Sequence, residues 1–397
     1  MERRHFFLDW VRIGAFVLLV LYHVGMYYVS WDWHIKSPSA GPALEPLMLA
    51  SAPWRLSLLF FVSGAATAFL RGTGEAGFLR ARSWRLLVPL AFGMLVVVVP
   101  QPYFEVVDHL PGGYRDGYLA FWGRYLQADG GFCRADGECL ILPTWNHLWF
   151  VAYLWVYTVL LCAGRWLARG RHVAFVGAAV RRLGLGWNLL LWPFALLALA
   201  RLLLAGRFES THALIDDWYN HAQYLPLFLL GAAVARRAGA WDAFIRLRWM
   251  AAALAVCGYA VVAWYFGLGF DDANPPPDAL RALQRLAWAV CQWSAVVAVI
   301  GFAARWAPGD SAARRYFTEA VFPVYILHQT LIIAIAYHAR PFGLAPAIEG
   351  PLLVLATFAG CFGVFEMMRR VPLLRPLFGL RRQARAVALR DGAPAGT

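Results

Sequence analysis

Leu8-Asp9-Trp10-Val11-Arg12-Ile13-Gly14-Ala15-Phe16-Val17-Leu18-Leu19-Val20-Leu21-Tyr22-His23-Val24-Gly25-Met26-Tyr27-Tyr28-Val29 decides the fold class. At about 1.5 Å of rise per residue, an apolar helix of this length crosses the roughly 30 Å hydrocarbon core of a bilayer. It exceeds the apolar region of a signal peptide, and no small-residue cleavage site follows it, so it reads as a retained helix. Asp9 and Arg12 lie near its start, and His23 lies well inside it.

Nine further runs of similar character follow, near Pro53–Leu70, Leu86–Val106, His147–Cys162, Trp187–Ala205, Gln223–Ala235, Met250–Phe270, Leu283–Ala304, Phe317–Ala339 and Pro351–Met368. The chain is therefore expected to be all-α, a polytopic transmembrane helix bundle of about ten spans. Its 397 residues are 61% apolar and 15% charged, whereas soluble domains carry about 25% charge. That composition excludes a disordered or fibrous chain and disfavours a soluble enzyme. The aromatic share of 16% suits a protein whose rings gather at membrane interfaces and line pockets.

Lys and Arg number 36 against 23 Asp and Glu, a net charge of +13. Nucleic-acid binding needs a basic face on a soluble module, and none is present, so no nucleic-acid partner is expected. Topology accounts for the excess instead, because basic residues near span ends stay on the cytoplasmic side. With the amino terminus inside, 25 basic residues fall in inner segments and 7 in outer ones, which places both termini in the cytoplasm. The outer loops are acidic, with Asp32, Asp108, Asp116, Asp216, Asp217, Asp271 and Asp272 among them. Residues 1–376 read as one membrane domain, and 377–397 as a basic cytoplasmic tail that frays.

Cys162, Cys257, Cys291 and Cys361 fall inside apolar runs and read as small hydrophobes. Cys133 and Cys139 share the longest outer loop, where an oxidising compartment permits a disulfide and the spacing neither requires nor forbids one. No His or third Cys joins them at a ligand spacing, so no metal is expected.

Charged residues at a helix centre cost about 2.5–3.5 kcal/mol each, which singles out the polar groups inside the runs. Eleven positions put Arg12 and His23 about 16 Å apart along one helix and within about 20° of the same face. His328 lies near the middle of its run, and His147 opens another between Trp145 and Trp149, which also fit an interfacial aromatic belt. Ser63 precedes Gly64 in a small-residue stretch suited to close helix packing. Glu366 near an inner end invites a basic partner, with Arg369, Arg370 and Arg12 in reach of sequence reasoning. Arg80, Arg82 and Arg85 cluster at the inner end of the third run. This inventory suits acyl transfer across a membrane: an imidazole can act as general base on a hydroxyl, and inner arginines can hold the phosphates of an acyl-coenzyme A.

Arg12 followed by His23, Phe60-Phe61-Val62-Ser63-Gly64, Arg82-x-x-Arg85-Leu-x-x-Pro89, His147-Leu-Trp-Phe150 and Tyr325-x-x-His328 together resemble the third family of integral-membrane acyltransferases. Phe7-Leu8-Asp9 through Trp31-Asp32-Trp33-His34-Ile35-Lys36-Ser37, Tyr224-Leu-Pro-Leu-Phe-Leu-Leu-Gly231 and Arg370-Val-Pro-Leu-Leu-Arg-Pro-Leu-Phe378 resemble its glucan biosynthesis protein C branch, which succinylates periplasmic glucans. The resemblance implies a multi-pass enzyme of the bacterial inner membrane that moves an acyl group, succinyl or acetyl, from acyl-CoA (succinyl-CoA or acetyl-CoA) to hydroxyls of a periplasmic or cell-surface glycan. It implies His23 as the catalytic histidine, Arg12 as its partner, and Arg82 and Arg85, with Arg80 beside them, as donor-binding residues. Asp9, Ser63, His147, Trp149, His328 and Glu366 complete the candidate site. Trp31, Asp32, Trp33 and His34 are the candidate acceptor contacts, an aromatic and carboxylate cluster that suits carbohydrate and equally suits an interfacial belt. Gln329 follows His328 where the branch would suggest a second histidine, which leaves the role of His328 open. The other functional class is a secondary transporter with Arg12, His23 and His328 as a proton or substrate relay. Oligomeric state is not legible in the sequence.

Overall fold

In the computed structural model, which describes residues 5–69, 74–135, 137–167, 186–237, 239–271, 273–307 and 309–381, every one of the ten apolar runs lies on a helix. In chain order the helices are α1 (Phe6–Tyr28), α2 (Glu45–Leu49), α3 (Arg55–Phe69), α4 (Gly74–Phe92), α5 (Pro100–His109), α6 (Tyr118–Leu126) and α7 (Trp149–Leu167). They continue as α8 (Asn188–Leu204), α9 (Trp218–Val234), α10 (Ala240–Gly267), α11 (Asp278–Trp306), α12 (Ala312–Ala339) and α13 (Pro346–Arg370). Among the described residues there is no strand, only an isolated bridge between Cys133 and Cys139. Among the described residues, seven helical segments are long and apolar enough to cross a bilayer: α1, the continuous Gly74–His109 stretch, Asn146–Leu167, α10, α11, Ala312–Phe342 and α13. Helices α3 and α8 are apolar but shorter, and α9 has 17 residues.

The third run departs most from its expected bounds. Its helix begins at Gly74 rather than Leu86, so Arg80, Arg82 and Arg85 sit on α4 itself. A π-helical turn, Gly93–Val97, then leads toward α5, which starts with Pro100 at a position where its missing N–H is unused. The wide turn brings Gly93 against Leu148, where a Cβ would have to push the tip of the Leu148 side chain aside.

Helix α1 is central and packs on α3, α11, α12 and α13. Small residues set the closest approaches. A Cβ at Gly64 of α3 would collide with the Phe228 carbonyl oxygen of α9, and one at Gly231 with that of Phe61, so the pair meets backbone to backbone. Gly258 and Gly301 do the same for α10 and α11, the most extensively paired helices.

One end of the bundle, where α1 and α12 begin, carries Arg12 and Arg314; the other holds the loops after α1, α5 and α6. At that second end Val99, Val106, Phe121, Tyr125, Phe132 and Leu142 form a small core of their own under the disulfide joining Cys133 to Cys139. The tail expected from residue 377 is not free over its described part. Residues 375–378 form a 3₁₀ turn with Phe378 and Leu380 buried against the bundle, because Arg375 donates to the Arg369 and Arg381 carbonyls and pairs with Glu319. The rest of the tail, 382–397, lies outside the described residues, as does Asp272.

Candidate active site

His23 of α1 and His328 of α12 meet, Nδ1 to Nε2, at 2.7 Å, with their rings stacked. His328 Nδ1 lies 2.7 Å from the Tyr325 carbonyl oxygen, which can only accept, so Nδ1 carries the proton and Nε2 the lone pair. His23 Nδ1 must then donate to His328, which leaves His23 Nε2 as a lone pair. The bond orders His23 into the tautomer a general base needs.

The same accounting runs through the neighbours. His147 Nε2 donates to the Tyr325 and Ile326 carbonyls at 3.1 and 3.3 Å, and its Nδ1 accepts from Gln101 Nε2 at 3.3 Å. Gln101 also donates to Thr330 Oγ1, while its Oε1 accepts from Asn146 and Gln329. Gln329 Nε2 donates to His34 Nε2 at 3.0 Å, so His34 carries its proton on Nδ1 and donates to Glu105 Oε2 at 2.5 Å. Arg134 then bridges Glu105 and Asp32 at 2.6 and 3.1 Å. Burial opposes the Arg134 charge, but hydrogen bonds to those two carboxylates outweigh it and hold the guanidinium above its ordinary range. Four histidines separated widely in sequence thus share one network, with Gln329 serving as the link to His34. Among the described residues, no three His, Cys, Asp or Glu side chains are placed so as to hold a metal ion together.

At the opposite end, a cavity of about 350 Å³ is lined by Arg12, Arg82, Arg85, Arg314, Arg315 and Arg381, with Glu319 as its carboxylate and Phe16, Ser63 and Tyr325 deeper in. Glu319 is engaged by Arg375, so the cavity is strongly cationic. Asp9 pairs with Arg314 and lies 3.6 Å from Arg12. The Nε atoms of Arg12 and Arg82 are buried without a partner. Tyr325 links the two ends: its ring packs on Phe16 at 5.3 Å and on His328 at 5.9 Å, and its hydroxyl donates to the His147 carbonyl.

Several sequence-based choices stand elsewhere. Arg80 is exposed and does not line the cavity, since two positions on a helix turn about 200° and put it opposite Arg82. Glu366 pairs with Arg369 and Arg370, away from both clusters. Trp149 stacks on His212 at 4.2 Å, beside the histidine network rather than in it. The acceptor quartet divides: Trp31 packs near Val262, Trp33 is buried, Asp32 is exposed on Arg134, and His34 points inward. It therefore offers no single aromatic platform. Gln101, Glu105, Asn146, Thr330 and Arg134 join the network although the sequence reading passed them over. Gln101 and Glu105 are polar residues one helical turn apart at the end of an apolar run, the signal that singled out His23.

No curated protein and no solved structure matches the chain. The Acyltransferase domain of acyltransferase family 3 matches residues 5–366, from before α1 to near the end of α13, and so the chain belongs to that family of acyltransferases.

Proposed function

We propose that the protein transfers an acyl group from acyl-CoA, bound at the arginine cavity, to a hydroxyl of a glycan offered at the histidine end, with His23 as general base. The observation that carries this reading is the His23–His328 bond, which leaves His23 Nε2 ready to accept a proton. The hydroxyl oxygen bonds to the thioester carbon as its proton passes to His23 Nε2. The carbon–sulfur bond then breaks, and the thiolate takes the proton back. A positioned base of this kind contributes about 10²–10⁴-fold.

Arg82 and Arg85, with Arg12 and Arg314 beside them, supply charge-assisted donors for the phosphates of the coenzyme. The excess of basic residues in the inner segments supports a cytoplasmic donor side and a periplasmic acceptor side in a bacterial inner membrane. The acyl group is succinyl or acetyl, and the acceptor is a periplasmic or cell-surface glycan. The transporter alternative has less support, since His328 ends on a main-chain carbonyl, which cannot relay a proton.

The test is mass spectrometry of periplasmic and surface glycans from cells with the gene intact, deleted, or carrying His23→Ala. An acyl mass increment should appear only with the intact gene. Identical glycans in all three strains would sink the reading, and acylation retained by a well-expressed His23→Ala would remove His23 as base.

A further inference from the structure

Arg55 opens α3 at the end of the bundle that holds His23. Its residue is 8% exposed, and its Nε and Nη1, both shut off from solvent, have no hydrogen-bond acceptor. Its guanidinium lies over the Tyr22 ring, with Cζ 3.2 Å from the centroid, and that ring meets His23 edge to face at 6.1 Å. A cation withdrawn from water is normally compensated by an anion or by a set of acceptors. The two other arginines as buried as Arg55 obey this: Arg314 has Asp9 and Asp310, and Arg375 has Glu319 and two carbonyls, while Arg12 and Arg82, each with an unpartnered Nε, line the cationic cavity at the opposite end. Arg55 has a π face alone. The further groups whose charge it reaches from neighbouring elements, His212 and Tyr224, add no carboxylate.

We infer that Arg55 is the site for an anionic oxygen of the substrate beside His23, an inference that rests on the acyl-transfer reading above. Two oxygens have this chemistry. One is the carbonyl oxygen of the acyl group: when the hydroxyl oxygen bonds to the carbonyl carbon, the π pair moves onto that oxygen, and the pair returns when the carbon–sulfur bond breaks. The other is the terminal carboxylate of a dicarboxylic acyl chain, which stays charged throughout. A fixed guanidinium in a dry setting stabilises either one more strongly than water would.

The full-length protein in detergent, as wild type, Arg55→Gln and Arg55→Lys, would be assayed with acetyl-CoA and succinyl-CoA on a glucan oligosaccharide, with melting curves alongside. Arg55→Gln should lower transfer by about 10²–10³, and Arg55→Lys, which keeps the charge and protects the test if Gln fails to fold, should lose less. An equal fall in kcat with both donors identifies the reacting oxygen. A loss confined to succinyl-CoA and expressed in KM identifies the carboxylate. Folded Arg55→Gln that matches wild type on both donors overturns the inference and leaves the acyl-transfer reading standing. A wild type that transfers neither group removes that reading, and this inference with it.

Discussion

His23 takes its tautomer from a residue 305 positions away. Replacing His328 with Leu should free the His23 ring and lower kcat by about 10²-fold or more, whereas His328→Gln, which restores an oxygen acceptor, should keep a larger share. Steady-state kinetics beside melting curves check this; a variant that melts early but keeps kcat would reduce His328 to packing. Sequence alone singles out Arg12, His23 and His328, because an ionisable group inside an apolar run is costly wherever the run folds. Gln101 and Glu105 obey the same rule and were open to the same reading. What sequence could not supply is which of them meet, since His23 with His328 and Gln329 with His34 are tertiary contacts. Arg80 was separable from Arg82 by helical periodicity once α4 was known to begin at Gly74, but the polar start of that helix hid its true length.

At the scale of helices, the α3–α9 contact rests on two glycines facing each other's backbone. Gly64→Ala and Gly231→Ala should each destabilise the protein by about 1–3 kcal/mol, because the added methyl has no side chain to displace and must move a carbonyl. Gly164→Ala on α7, with nothing near its Cβ, should instead gain about 0.5–1 kcal/mol from helix propensity. Thermal unfolding in detergent distinguishes the two. The ten runs were legible because continuous apolarity survives any tertiary arrangement. The π turn at Gly93–Val97 was not, since it answers to the packing of Gly93 on Leu148, which no local pattern encodes. The Phe-Phe-Val-Ser-Gly segment announced close packing correctly, though its partner helix could not be named from sequence.

Across the whole molecule, the arginine cavity and the histidine network occupy opposite ends of the same two helices, α1 and α12. The segment after α13 completes the cavity wall with Arg381, anchored through Arg375. Arg375→Ala should cost about 1–3 kcal/mol through the acceptors it abandons and raise the KM for acyl-CoA several-fold, measured by melting and donor titration. The packing of residues 377–381 against the bundle was invisible in sequence because Phe378 and Leu380 are too few to form a recognisable pattern. Between the two ends, the rings of Phe16, Phe150 and Phe322 surround Tyr325 at 5.3, 6.2 and 6.2 Å. An ion reaching those rings from either side would have to shed its hydration shell among hydrocarbon. The same rings line the arginine cavity and floor it with hydrocarbon, so a charged group held there meets a barrier to passing further along α1 and α12.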